Sequence, residues 1–369
     1  MRTAVLGFLI AAVLVYVLTP LMGRLANRTG AVDTPSDDRR MHVLATPLLG
    51  GLGMYLGWMI PVMILVKVDR PVWGIIGGAT IVVAVGLFDD LYELEPIVKF
   101  IGQLLAISVA MYFDIRINRM GVPFTGIMVH FPALVSALVT AFWMAMIINM
   151  VNFIDGLDGL AAGVCGISAL TFCVISLSTT FPAAGVIAAV LAGATFAFLR
   201  FNFHPASIFM GDAGSMLLGF VLACLSVQSV MKGTAAIALV LPLLVLGVPF
   251  VDLSLIVWRR WRRGVPFYSP GQDHVHHDLV LVHGFSQRKS VLLLYSWCVL
   301  LSGLAIAVQR NNVPAMLGLG VAAAVATVYM AQLLSRYRSR RQGLPDPLTA
   351  GPGGGLSDDD DGADDATKG

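Results

Sequence analysis

The chain has 369 residues, 57% of them hydrophobic and only 12% charged, with a mean hydropathy of +0.82. A soluble domain carries about a quarter charged residues, so composition argues against a soluble fold or a nucleic-acid binder and for an integral membrane protein. The formal net charge of +2 is uneven: residues 351–369 hold six Asp and one Lys, a net −5, which leaves +7 on residues 1–350.

A helix crossing a bilayer needs about 20 apolar residues. By that measure the chain offers eleven spans, at 3–22, 48–66, 72–88, 97–113, 132–151, 160–179, 182–199, 213–231, 235–257, 291–309 and 313–335. The expected fold is therefore an all-α, polytopic membrane bundle. The first span is too long for a signal-peptide core and lacks a small-residue cleavage site, so it reads as a membrane helix. A tight reversal at Thr180 and Phe181 separates the sixth span from the seventh. Pro242 and Pro249 are expected to kink the ninth. Residues 1–335 form the membrane unit, and 336–369 read as a basic, then Gly/Asp-rich, disordered tail.

An odd number of spans places the termini on opposite sides. Sorted by side, Lys and Arg divide 17 against 7. The positive-inside rule makes the richer side cytoplasmic, with the N-terminus outside and the C-terminus inside. Of the sixteen acids in residues 1–350, only Asp69 and Asp114 fall on the outer side. Topology does not require that asymmetry, so the inner loops are where chemistry is expected.

Four inner loops carry candidate motifs. In FDDLYELEPIVK, the adjacent Asp89 and Asp90 repel one another, and a divalent cation would neutralise them. Lys99 begins the next helix as a point charge for phosphate; a solvated helix end with a snorkelling lysine reads the same residues. In NMVNFIDGLDGL, Asn149 and Asn152 lie one turn apart, followed by Asp155 and Asp158, with Gly156 and Gly159 letting the backbone approach a ligand. In FMGDAGS, Asp212 stands between glycines at a helix start, where free N–H groups attract an anion; a plain N-cap reads it equally. In DHVHHDL, His274, His276 and His277 follow Arg259, Arg260, Arg262 and Arg263. Their spacing is not a strong zinc pattern; imidazole donors to a diphosphate or sugar are the alternative. His204 and His283, each alone, read as structural, and the four cysteines, all in apolar runs, as core residues.

These motifs, together with FNFHPASIFMGDAGS and with His42, Thr46, Pro47, Gly50 and Gly51 of the first loop, occur in one order. In them the chain resembles the polyprenyl-phosphate N-acetylhexosamine-1-phosphate transferases, over roughly residues 1–335. The split histidine motif and the eleventh span resemble the WecA/TagO-like branch more than the MraY-like one.

The resemblance implies a reaction: transfer of N-acetylglucosamine 1-phosphate from UDP-GlcNAc to undecaprenyl or decaprenyl phosphate, releasing UMP, as the first membrane step of a cell-envelope polysaccharide. It also implies Mg2+, with Mn2+ as a substitute, at a site on the cytoplasmic face of a bacterial plasma membrane. Asp89, Asp90, Lys99 and Asp212 would be catalytic, with Asp212 the metal ligand and Asp89 or Asp90 as further ligands. Asn149, Asn152, Asp155, Asp158, Asn202, His274, His276 and His277 would hold the nucleotide and sugar. Membrane lipids and a homodimer are the partners it suggests, and it implies that a broken ninth helix shapes a lipid groove beside Asp252. The alternatives are a phospho-MurNAc-pentapeptide transferase and, from another class, a secondary transporter, whose site would lie near the bilayer midplane.

Overall fold

The computed structural model describes residues 1–33, 46–121, 128–177, 182–230, 240–264, 279–280 and 285–341. His42, the Thr180–Phe181 reversal, the histidine motif at 274–277, His283 and the acidic tail lie outside the described residues. The described residues are mostly helical, with two short antiparallel strand pairs. In chain order the helices are α1 (Arg2–Thr29), α2 (Gly50–Leu65), α3 (Arg70–Tyr92), α4 (Pro96–Tyr112), α5 (Ala133–Phe153), α6 (Leu160–Ser176), α7 (Pro182–Asn202), α8 (Gly211–Leu225), α9 (Val240–Val245), α10 (Gly247–Arg263), α11 (Gln287–Gln309) and α12 (Val313–Arg341). Among the described residues, seven helices are long and apolar enough to cross a membrane, and α2, α4 and α6 are shorter apolar helices.

Local chemistry sets several boundaries. Asp69 caps α3 by accepting from the Val72 N–H at 3.2 Å, with Pro71 in the first turn, where a missing N–H costs nothing. Gly30, at φ 78°, ends α1 in the left-handed conformation. The expected ninth span is divided in two, α9 and α10, at Leu246. Pro249 has no N–H to give the Val245 carbonyl four residues earlier. The Ser168 hydroxyl donates to that carbonyl instead, at 2.8 Å. Asp252, just past the break, is 4% exposed, so it faces protein and not lipid.

α8 is the axis of the bundle, with α3 and α5 on two of its sides and α2 and α6 also in contact. All its residues from Ala213 to Leu225 are buried. α2 meets it closely, because a side chain on Gly51 would overlap the backbone of Gly214. α1 packs on α2 and α7, α6 on α7, and α11 on α6 and α12. α12 is the most peripheral of the candidate spans, with 11% of its apolar window buried.

The polar connections sort to two ends. At one end Arg70 pairs with Asp114 (3.1 Å), and the strands Arg119–Gly121 and Met128–His130 form a hairpin. At the other, the loop after α1 returns through Thr46–Pro47, paired with Val32–Asp33, and joins the loop before α8. There Phe209 N–H donates to Pro47 O, and Gly50 and Gly51 N–H donate to Phe209 O and Met210 O. That second end collects the motif loops.

Candidate active site

Asp89 and Asp90 close α3, Lys99 opens α4, Asn152 closes α5 and Asp212 opens α8. Folding brings them together: ligand oxygens of Asp89, Asp90 and Asp212 lie within 4.8 Å of one another. Lys99 Nζ donates to Asp89 Oδ2 at 2.9 Å and to Asp212 Oδ2 at 2.5 Å. Asn152 Nδ2 donates to Asp212 Oδ1 (3.1 Å) and to Ser215 Oγ (2.8 Å). Asp89 Oδ1 accepts from Leu94 N–H at 2.9 Å.

The two adjacent aspartates do different work. Asp90 Oδ1 accepts from Asp212 N–H at 2.7 Å, and Oδ2 from Ala213 N–H at 3.2 Å. Asp90 therefore caps α8 from a neighbouring helix, satisfying two of the N–H groups that a helix start leaves open and placing negative charge at its positive end. Gly211 makes room, since its φ is +64° and a side chain there would overlap the Asp90 carboxylate. Asp89 and Asp212 instead turn an oxygen each toward the ammonium of Lys99. All six carboxylate oxygens accept hydrogen bonds, and two of them hold a cation.

A second polar layer lies one turn deeper. Asn149 Nδ2 donates to Gln103 Oε1 (2.7 Å) and Ala145 O (2.8 Å), and Gln103 Nε2 returns a bond to Asn149 Oδ1 (3.4 Å). Gln103 follows Lys99 by four residues and Asn149 precedes Asn152 by three, so each helix presents two rungs on one face. Gln103 and Ser215 escaped the sequence reading; the i+4 step from Lys99 was the available signal for the first.

The remaining candidates sit in the loop between α5 and α6 and at the end of α7. Asn202 is buried and spends its amide on backbone: Oδ1 accepts from Gly159 N–H (3.1 Å) and Nδ2 donates to Ile208 O (3.0 Å). It thus ties the NFIDGLDG loop to the loop before α8. Asp158 Oδ2 accepts from Ala206 N–H (3.0 Å) and faces His204 Nδ1 (2.8 Å). Asp155 is half-buried between these loops and Asp212; burial first, then the charges of Asp212 and Asp158, push its carboxyl up to about 7. α11 braces both loops, as Tyr295 donates its hydroxyl to Gly159 O and Arg288 Nε donates to His204 O (2.9 Å). The sequence reading gave His204 only a structural role and did not notice Tyr295 or Arg288. His274, His276 and His277 are outside the described residues.

An all-oxygen set of carboxylates suits a hard divalent cation, and the adjacent amides and ammonium suit phosphate oxygens. Residues 72–230, from the start of α3 to the end of α8 and its following turn, match the family model described as glycosyl transferase family 4. The chain is 36% identical to a decaprenyl-phosphate N-acetylglucosaminephosphotransferase of Mycobacterium leprae, covering 89% of this chain and 90% of the relative. It is 35% identical to the protein of the same description in Mycolicibacterium smegmatis, covering 94% and 92%. An undecaprenyl-phosphate alpha-N-acetylglucosaminyl 1-phosphate transferase of Salmonella typhi is 26% identical, covering 79% and 80%.

Proposed function

We infer the reaction from one premise: the chain belongs to glycosyl transferase family 4, among the polyprenyl-phosphate N-acetylglucosamine-1-phosphate transferases. It is an integral membrane enzyme that moves N-acetylglucosamine 1-phosphate from UDP-GlcNAc to a polyprenyl phosphate and releases UMP. The observation that carries this reading is the meeting of Asp89, Lys99 and Asp212 at one end of the bundle. A membrane-buried lipid phosphate and a water-soluble nucleotide sugar share only such an end. A transporter would gather its ionisable groups near the midplane.

The donor set fits Mg2+ or Mn2+. Asp212 and Asp89 would hold the ion, since each already turns an oxygen to one cation, whereas both oxygens of Asp90 are committed to α8. When bound, the ion supplies charge neutralisation for the diphosphate. Lys99 adds a positive charge that orients phosphate. Asn152 holds Asp212 in place. The acceptor is a phosphate monoester whose second pKa is about 6, so at neutral pH it attacks without a strong general base, and Asp89 serves to orient it. An acceptor oxygen forms a bond to the β-phosphorus of the donor. The bond from that phosphorus to the bridging oxygen breaks, and its electron pair leaves with UMP. The phosphoryl group moves in one displacement, by positioning and electrostatics.

The proposed topology has eleven crossings, an outer N-terminus and a cytoplasmic site, supported by the 17 to 7 division of Lys and Arg. The enzyme would then sit in the plasma membrane of a bacterium, as a homodimer among lipids. In proteoliposomes, UDP-GlcNAc, polyprenyl phosphate and Mg2+ should together release UMP. Omitting either the lipid or the metal, or making Asp212→Ala, should abolish release. Solute uptake without UMP release would refute the transferase.

A further inference from the structure

We propose that His204 is a specificity-determining residue that reads the imide N–H of the donor's uracil. This rests on the UDP-sugar reading above and names a contact within it. Four observations converge. First, the Asp158 side chain is 2% exposed while that of His204 is 35% exposed, so the carboxylate is the inner member of the pair and the ring the outer one. Second, an ionised carboxylate only accepts hydrogen bonds, so Nδ1, 2.8 Å from Asp158 Oδ2, carries the proton. With the proton on Nδ1, Nε2 is the acceptor of that tautomer.

Third, the ring is held at both ends of its backbone segment. Ala206 N–H binds the same Asp158 oxygen, and Arg288 holds the His204 carbonyl. Among the described residues no hydrogen bond uses Nε2. Fourth, the pair belongs to the same site but not to its cation: Asp155 feels the charges of both Asp212 and Asp158, while Lys99 bonds Asp89 and Asp212. The carboxylates of Asp155 and Asp158 make this part of the site a poor host for phosphate and a better one for the neutral part of the ligand.

A ligand group that meets this acceptor must be a donor. The phosphates have none. Uracil offers N3–H, the most acidic neutral donor of the nucleotide sugar and one coplanar with its ring. Cytosine has an acceptor at that position, so a fixed acceptor selects against it. Asp158 then recognises the base through His204 and not directly.

The experiment compares UDP-GlcNAc with its N3-methyluridine analogue, using the full-length enzyme in proteoliposomes. The wild type should prefer UDP-GlcNAc in kcat/KM. His204→Ala should raise KM for UDP-GlcNAc by about threefold to tenfold, the range of one neutral hydrogen bond, with kcat little changed. It should leave the methylated donor unaffected, so that the preference collapses. His204→Gln, which keeps an acceptor and a similar reach, should restore part of the preference. If His204→Ala lowers turnover of both donors equally, or leaves the preference intact, His204 only positions the loop or meets the sugar, and the assignment is overturned. A wild type that releases no UMP from UDP-GlcNAc overturns the transferase reading and this inference together.

Discussion

The carboxylate of Asp90 receives the backbone N–H of Asp212, at 2.7 Å, across two helices 122 residues apart in the chain. One acid of the pair thereby aims the other acid's partner. Replacing Asp90 by Asn leaves one acceptor for two N–H donors and turns an NH2 group against the second. Loss of such a cap costs about 0.5–2 kcal/mol, and a displacement near 1 Å at a reacting centre costs about 100-fold in rate. Asp90→Asn should therefore lower kcat by about 10- to 100-fold while the Mg2+ concentration for half-activation stays within about threefold. A large rise in that concentration would make Asp90 a metal ligand instead.

Gly211 is required by the same contact. Its φ of +64° disfavours any side chain, and a methyl group would overlap the Asp90 carboxylate. Gly211→Ala should lower the thermal midpoint and reproduce the kinetic defect of Asp90→Asn. The double variant should be no worse than the worse single one, since both break one interaction. Additive losses in a double-mutant cycle would separate the two residues.

Asp155 gives a pH signature. Burial raises its pKa from 3.8 to about 7, so the protonated form is the one that folding favours. Its contribution is full below about pH 4. That contribution falls as pH rises through 7 and is constant above. Asp155→Asn removes the penalty, and its stability relative to wild type should climb between pH 4 and 7 by a few kcal/mol at most and then level off. Thermal midpoints of both proteins in detergent, taken across that range without metal, test this. A constant difference would show that Asp155 ionises normally.

Tyr295 braces the NFIDGLDG loop, which we propose holds the nucleotide, through the Gly159 carbonyl. Its ring fills the space beside Gly163, where a side chain would overlap the phenol. Tyr295→Phe keeps the packing and removes the hydroxyl. Gly159 O keeps the Gly163 N–H at 2.9 Å, so the expected cost is that of one hydrogen bond, about 0.5–1.5 kcal/mol, seen as a raised KM for UDP-GlcNAc with the KM for polyprenyl phosphate unchanged. Equal changes in both would place Tyr295 in general stability.

A single displacement also makes a prediction. Enzyme incubated with UDP-GlcNAc and Mg2+ but no polyprenyl phosphate should carry no phosphoryl group after denaturation. Mass spectrometry finding a phosphorylated Asp89 or Asp212 would require a two-step reaction.

Much of this architecture was legible in the chain because membrane helices announce themselves by length and apolarity. Helices stand at ten of the expected spans, as α1 to α8, α11 and α12, seven of them long and apolar enough to cross a membrane, and the proline-rich ninth appears as a broken helix. Asp89, Asp212 and Lys99 were also legible, since charges at apolar helix ends are costly unless they meet. The division of labour between Asp89 and Asp90 was not, because a cap donated by another helix leaves no local spacing. Nor was the satisfied, buried state of Asn202: its partners, Gly159 and Ile208, come from loops whose closeness only the folded bundle creates. His204 looked solitary in sequence for the same reason, its carboxylate lying 46 residues away.

The amide pair of Gln103 and Asn149 bears on how far α4 can move. If the helices rotate apart, turning α4 by one residue would strand the Gln103 amide and leave Asn149 only its bond to Ala145 O in its own helix. The pair thus acts as a detent that admits one azimuth of α4 against α5. Lys99, a turn above, inherits that azimuth, so the reach of its ammonium toward Asp212 is fixed from below by an amide pair bonded across two helices.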